Sequence, residues 1–232
     1  METICRTCKH ELCIKKVPLF SSLNEQEMEK VASFIRRKQY KKGETLFLQG
    51  NAPKGLIIIN RGTVKAYAVT AEGKEQILHL FFAGDFFGEK NLLLDKPMKY
   101  HVEAVEDTHI CMISKKDFQG IVENYPAMTG KMMAALVERI DRLEDMVESM
   151  GAQEIEKRLI EVLVEFARSS EEEMKNNMEI VIPLSREGIA NYIGSTRETV
   201  SRKLNLLKAE GLIDFVGNKK IRIKDIDLLT KR

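Results

Sequence analysis

The sequence has no apolar run approaching the roughly 20 residues that a membrane-spanning helix requires. Its opening stretch, METICRTCKHELCIKK, also lacks the apolar core of a secretory signal. Both absences lead to the expectation of a cytoplasmic protein with no membrane role. Net charge is scarce too: 37 Lys and Arg against 35 Asp and Glu leave only +2, too little to name a partner. Cysteine is limited to four residues, and the cytosol disfavours structural disulfides, so the four are expected to have another use. What is present is an ordinary hydrophobic content of 44%, with 31% charged residues, over 232 positions. That is enough chain for about two domains and an adequate core.

Three of the cysteines, Cys5, Cys8 and Cys13, crowd the N-terminus with C-x2-C-x4-C spacing, and Cys111 stands far downstream. Such thiolate clusters usually bind metal. Four thiolates suit an iron–sulfur cluster. Zinc also takes four ligands, and His10 or His109 could replace one of them. A reversible disulfide between Cys111 and an N-terminal cysteine is a third option, and four unconnected thiols a fourth. Cys111 lies in the strand-like run HICMIS and reads equally well as a buried core thiol. A redox enzyme built on Cys5-x2-Cys8 would need that motif to open a helix after a strand. No such context surrounds it, so no enzymatic activity is expected.

Pro18 to about Arg37 reads as helical, with Leu23, Met28, Val31, Phe34 and Ile35 apolar. From Lys41 to Ser114 short strand-like runs alternate with glycines, the pattern of an antiparallel β-roll or jelly roll. A long helix follows Tyr125-Pro126. In it Met133, Leu136, Ile140, Leu143, Val147 and Met150 keep heptad spacing, while the residues between them are charged. That seam predicts a homodimer, although an amphipathic helix packed on its own domain would carry the same stripe. A further helix is expected over Glu154 to Arg168. The expected division is 1–16 for the cysteine segment, 17–125 for a β-roll sensor, 126–150 for the dimerisation helix and 151–232 for a DNA-binding domain.

The stretch from Leu184 to Ile213 reads as two helices joined at Gly194. Ser195 is expected to start the second, with Glu198 closing a capping box. Val200, Leu204 and Leu207 form its buried stripe. The opposite face carries Glu198, Ser201, Arg202 and Asn205, with Arg197 near the boundary. Arg suits guanine O6/N7, Glu accepts from cytosine N4, and Ser serves several bases, so this face reads as a major-groove reader. After it, Gly217-Asn218 separates two β-prone runs, as in a hairpin wing. Lys219, Lys220 and Arg222 on that wing are expected to meet phosphates. With the dimer seam, the predicted partner is double-stranded DNA carrying an inverted repeat.

A β-roll, a long dimer helix and a C-terminal winged helix-turn-helix, in that order, resemble the CRP/FNR family of bacterial transcription regulators. The resemblance covers about residues 17 to 230, and its most specific part is GSTRETVSRKL. It implies an α+β fold with a cyclic-nucleotide-binding-like β-roll, and RNA polymerase as a partner. The FNR-like reading code, E-x-x-S-R, matches Glu198, Ser201 and Arg202; the CRP-like code, R-E-x-x-x-R, matches Arg197, Glu198 and Arg202. Ser201 favours a TTGAT-like half-site over a TGTGA-like one. Phe87-Gly88-Glu89 matches the family's nucleotide cassette, but Lys99-Tyr100 stands where an Arg and a hydroxyl residue are required. Lysine cannot make the bidentate phosphate contact, so cyclic AMP is not the expected effector, and Gly88 and Glu89 are expected only to hold a turn. The FNR-like branch instead holds an oxygen-labile [4Fe–4S] cluster on three N-terminal cysteines and one in the β-roll. The resemblance carries that role onto Cys5, Cys8, Cys13 and Cys111, with zinc, a thiol–disulfide switch, or sensing of a small molecule other than cyclic AMP in the β-roll as the alternatives.

Overall fold

The computed structural model of the chain describes residues 3–4, 17–152, 155–170 and 174–230. Contacts divide it into two units, Met1–Ala68 with Leu78–Leu143, and Val69–Ile77 with Glu144–Arg232.

The first unit starts with strand β1 (Thr3–Ile4). After a 3-10 turn at Pro18–Phe20 comes helix α1 (Glu25–Phe34). A capping box fixes its start: Glu27 N–H donates to Asn24 Oδ1 at 3.0 Å and Asn24 N–H to Glu27 Oε2 at 2.8 Å. The helix is shorter at both ends than the apolar spacing from Pro18 to Arg37 predicts. Ile35 turns extended and is buried, and Arg36–Tyr40 forms strand β2. Sheet pairing overrides the local helical pattern there.

Strands β3 (Thr45–Phe47), β4 (Gly55–Arg61), β5 (Val64–Val69), β6 (Glu75–Phe81), β7 (Phe86–Phe87), β8 (His101–Ala104) and β9 (Thr108–Ser114) complete two sheets. Their orders are β1-β2-β9-β4-β7 and β3-β8-β5-β6, and β2, β4 and β9 pair antiparallel. Strand β4 explains its own unbroken apolar run, GLIII. Leu56 and Ile58 face one core cluster while Ile57 and Ile59 face the other, so both faces of the strand are buried. The first cluster also takes Val17, Phe20, Val31, Phe118 and Met132. Phe118 belongs to α3 (Lys115–Asn124), and Met132 to the long helix α4 (Ala127–Ala152). A short helix α2 (Glu89–Leu94), absent from the sequence reading, starts at Gly88, whose φ of +94° lies in the left-handed region.

The second unit holds α5 (Ile155–Arg168), β10 (Met178–Val181), α6 (Arg186–Ile193), α7 (Arg197–Ala209), β11 (Ile213–Val216), β12 (Lys220–Ile223) and α8 (Ile226–Thr230). The three strands are ordered β10-β12-β11. Leu159, Leu163, Ile180, Ile189, Val200, Leu204, Leu207 and Ile223 are buried. Strand β10 and helix α8 went unread in the sequence. The alternation of Met178 and Ile180 with Glu179 is a signal, but four residues are too short to stand alone.

Candidate nucleic-acid interface and cysteine site

The helix-turn-helix is built from local signals. Ser185 caps α6, accepting from Gly188 N–H at 3.1 Å. Gly194 ends it at φ +65°, a conformation that favours glycine. Arg158 of α5 fastens this turn, its Nη1 donating to Ile193 O at 2.5 Å. One expectation needs correcting. The cap of α7 is Thr196, not Ser195, and its hydroxyl accepts from Thr199 N–H at 3.3 Å. The helix starts one residue later than read, so Glu198 falls short of the capping-box position. It stands exposed in the first turn, where a carboxylate also complements the helix dipole.

Val200, Leu204 and Leu207 are buried, as their spacing predicts. Arg197, Glu198, Arg202 and Asn205 are exposed, and Ser201 is half-buried at the edge of the same face. The cations of the domain divide by partner. Lys203 pairs with the buried Glu156 at 2.8 Å. Lys224 pairs with Asp214, and Lys208 and Arg186 lie over the Phe215 ring at 5.1 and 5.2 Å. On the wing, Glu179 of β10 takes Arg222 at 2.6 Å and Lys220 at 3.6 Å. Arg222 is thereby held to the sheet, while Lys220 is more loosely tethered. Those two cations, with the Arg222 hydrogen bond first, hold the half-buried Glu179 carboxyl below its ordinary value. Among the described residues, Arg197, Arg202 and Lys219 make no ion pair, so their charge is directed outward.

On α4, Met133, Val137, Ile140 and Leu143 are 62%, 54%, 52% and 38% exposed, an apolar stripe uncovered in a single chain. Leu136 is only half-buried and leans on the β-roll core; Val137, which the heptad reading omitted, stands out instead. The side chains of Val147 and Met150 lie outside the described residues.

Cys111 is buried in the middle of β9, within the helix-facing core cluster. Its cross-strand partners are Arg37 on β2 and Ile58 on β4, and Thr3 of β1 pairs with Arg37. Arg37, Cys111 and Ile58 therefore form one row across the sheet, on one face. His109, two residues before Cys111, shares that face; burial first, then the charges of Arg37 and Arg61, push its imidazole below the ordinary histidine value. Cys5, Cys8, Cys13 and His10 lie outside the described residues. Among the described ones, no three His, Cys, Asp or Glu side chains converge as a metal site.

Glu89 does more than hold the turn expected of it. Its carboxylate is buried and receives Arg139 Nη1 of α4 at 3.2 Å. Arg139 also donates to Phe86 O at 2.6 Å and lies over the Phe81 and Phe86 rings. Tyr100 is buried beside this pair. Burial first and the Glu89 charge second push its phenol up to about 12. An arginine of the chain's own long helix thus occupies the carboxylate of the nucleotide cassette.

Two family descriptions match the sequence, a cyclic nucleotide-binding domain over residues 37–125 and a Crp-like helix-turn-helix domain over 157–232. The chain is similar to the fumarate nitrate reduction regulatory protein of Klebsiella oxytoca, with 30% identity over 98% of this chain and 89% of that protein. It is 28% identical to a probable transcriptional regulator, flp, of Lacticaseibacillus casei, over 91% of this chain and 93% of that one. Among solved structures, a CooA variant from Carboxydothermus hydrogenoformans superposes with a TM-score of 0.72 at 25% identity, covering 93% of this chain and 94% of that one. Among the described residues, no helix is long and apolar enough to cross a membrane.

Proposed function

The chain belongs to the CRP/FNR family of transcription regulators, a DNA-binding family and not one of enzymes; on that premise we propose that it is a homodimeric regulator whose DNA binding depends on oxygen or redox state. In this reading Cys5, Cys8, Cys13 and Cys111 hold a [4Fe–4S] cluster. A relative at 30% identity is named a fumarate nitrate reduction regulatory protein, and that name supports a redox-responsive role.

The observation that supports the proposal is the position of the two residues that flank the cysteine-bearing stretch. Residues 5–16 are bounded by Ile4, paired to β2 two strands from Met112, and by Val17, which is buried in the same core cluster as Cys111. The two described residues that flank the cysteine-bearing stretch in the chain, Ile4 and Val17, thus belong to the same sheet and core cluster as Cys111. The donor set fits as well: four soft thiolates are what an iron–sulfur cluster takes. When bound, the cluster supplies an oxygen-labile link between the N-terminus and the β-roll.

The remaining steps belong to the protein. Arg139 ties α4 to the β-roll, and the stripe of Met133, Val137, Ile140 and Leu143 meets its copy in a second chain. Two α7 helices then address the half-sites of an inverted repeat, with Glu198, Ser201 and Arg202 reading a TTGAT-like sequence. Lys219 and Lys220 contact phosphates, and the bound dimer engages RNA polymerase.

Anaerobic purification tests the reading. A brown protein with broad absorption near 400 nm and about four iron and four sulfide per chain is expected. A colourless anaerobic protein without iron or sulfide overturns it, and zinc in their place assigns the cysteines to that metal instead.

A further inference from the structure

Arg139 continues the face that α4 turns towards the β-roll. Met128 and Met132 are buried on that face, and Ala135 and Leu136 pack against the same core cluster. Helical spacing places Arg139 on this stripe, one turn beyond Ala135 and Leu136. Its hold is polar where theirs is apolar. Nη1 donates to Glu89 Oε1 at 3.2 Å and Nη2 to Phe86 O at 2.6 Å, with the guanidinium over the Phe81 and Phe86 rings. Both charged side chains are largely buried. Glu89 Oε2 is buried too, and makes no hydrogen bond among the described residues. The base of this contact is firm. A Cβ at Gly88 would lie 2.8 Å from Gly55 O, so the turn into α2 sits directly on β4, and Phe86 pairs with Ile58 of that strand.

We propose that Arg139 is a positioning residue for the dimer seam: held by Glu89 and Phe86, it fixes the rotation of α4 about its own axis. That rotation sets the direction in which the exposed stripe meets a second chain. The inference rests on the dimer reading given above. Ile140 follows Arg139 directly, about 100° further round the helix, and Leu143 lies one turn along. A helix turns as a unit, so any rotation that pulled Arg139 from Glu89 would carry both seam residues with it. Apolar packing tolerates small rotations. Two hydrogen bonds from separate nitrogens of a planar guanidinium do not, because each acceptor fixes one direction. Arg139 thus extends the hold on α4 past Leu136 to the level of Ile140.

Sedimentation equilibrium of the full-length protein, purified anaerobically, supplies the test. The dimer dissociation constant is measured for the wild type, Arg139→Gln, Glu89→Gln and the double variant, below the unfolding midpoint of each. Lys65→Met is the control: it breaks an ion pair with Glu103 made between β5 and β8 and not with α4. Glutamine at 139 is too short to span to Glu89. Each single variant is expected to raise the constant about tenfold, and the double variant no further, since both residues belong to one contact. Lys65→Met should lower the thermal midpoint yet keep the constant within about twofold of the wild type. The double variant leaves no buried ion unpaired, so it decides the matter if a single variant fails to fold. A double variant with a wild-type dissociation constant overturns the inference. An equal loss in Lys65→Met also overturns it, since general loosening of the β-roll would then be responsible. A wild type that stays monomeric overturns this inference together with the dimer reading, whereas a dimeric wild type with an unaffected double variant overturns this inference alone.

Discussion

Arg202 and Lys203 are neighbours in α7 and both cationic, yet the helix turns them to different tasks. Arg202 is exposed on the face opposite Val200, Leu204 and Leu207, while Lys203 folds back onto Glu156. Replacing Arg202 with Ala is expected to weaken binding to the specific site by about 1–3 kcal/mol per half-site, with little loss on random DNA. Competition binding with specific and scrambled duplexes checks this, and equal losses on both would reduce Arg202 to a phosphate contact. Tyr100 offers a second residue-level test. Its phenol is raised to about 12 from 10.0, so the folded state retains a proton that the unfolded chain releases above pH 10. That contribution to stability is present below pH 10 and is lost as pH rises towards 12, about 2–3 kcal/mol in all. Tyr100→Phe should therefore lose less stability than the wild type in denaturant titrations at alkaline pH; parallel losses would contradict the assigned burial.

At the scale of the element, α7 is joined to α5 by an ion pair. Glu156 of α5 is buried, with its side chain 9% exposed, and Lys203 reaches it at 2.8 Å. Removing one partner leaves a buried charge poorly compensated. Lys203→Met is expected to destabilise the DNA-binding unit by about 2 kcal/mol, seen as a lower thermal unfolding midpoint. By contrast, Lys219→Ala should leave that midpoint unchanged and reduce the salt dependence of DNA binding by about one counterion. The same logic separates the wing cations. Lys220 and Arg222 share Glu179, so part of their charge is already engaged within the sheet and Lys219 is the outward one. Elements defined by local chemistry were legible in the sequence: the glycine turn at Gly194, the stripe of α7 and the Gly217-Asn218 hairpin. Elements whose ends depend on distant partners were not. Strand β2 takes Arg36 and Arg37 from a helical pattern because β9 offers a ladder, and no spacing within residues 18–37 carries that information.

For the whole molecule, the exposed stripe of α4 sets the expectation of a dimer. Met133, Val137, Ile140 and Leu143 sit together on an otherwise charged helix, and burying them against a second copy removes that apolar area from water. Ile140→Glu is expected to shift the protein to monomers in sedimentation velocity and to weaken binding to an inverted repeat far more than to a single half-site. A variant that remains dimeric would exclude this stripe as the interface. Because Leu143 and Ile140 bring no charge into the seam, oxygen is expected to change the geometry of the dimer and not to dissociate it. Sedimentation of aerobic and anaerobic samples checks this, and aerobic monomers would count against it.

The order of parts, β-roll, long helix and winged helix-turn-helix, is written in the sequence because each depends on contacts close in the chain: alternation, heptad spacing, glycine turns and the run GSTRETVSRKL. The four candidate cysteines and the four candidate reading residues can be proposed for the same reason, since the chemistry they are proposed for travels with residue type. What only the tertiary structure decided is which of these groups meet. Glu156 finds Lys203 from 47 residues away and Glu89 finds Arg139 from 50. Arg37 comes to lie opposite Cys111 through strand register alone. Register and side-chain pairing are settled by burying two faces of one sheet at once, a condition on the whole fold that no local stretch of sequence contains.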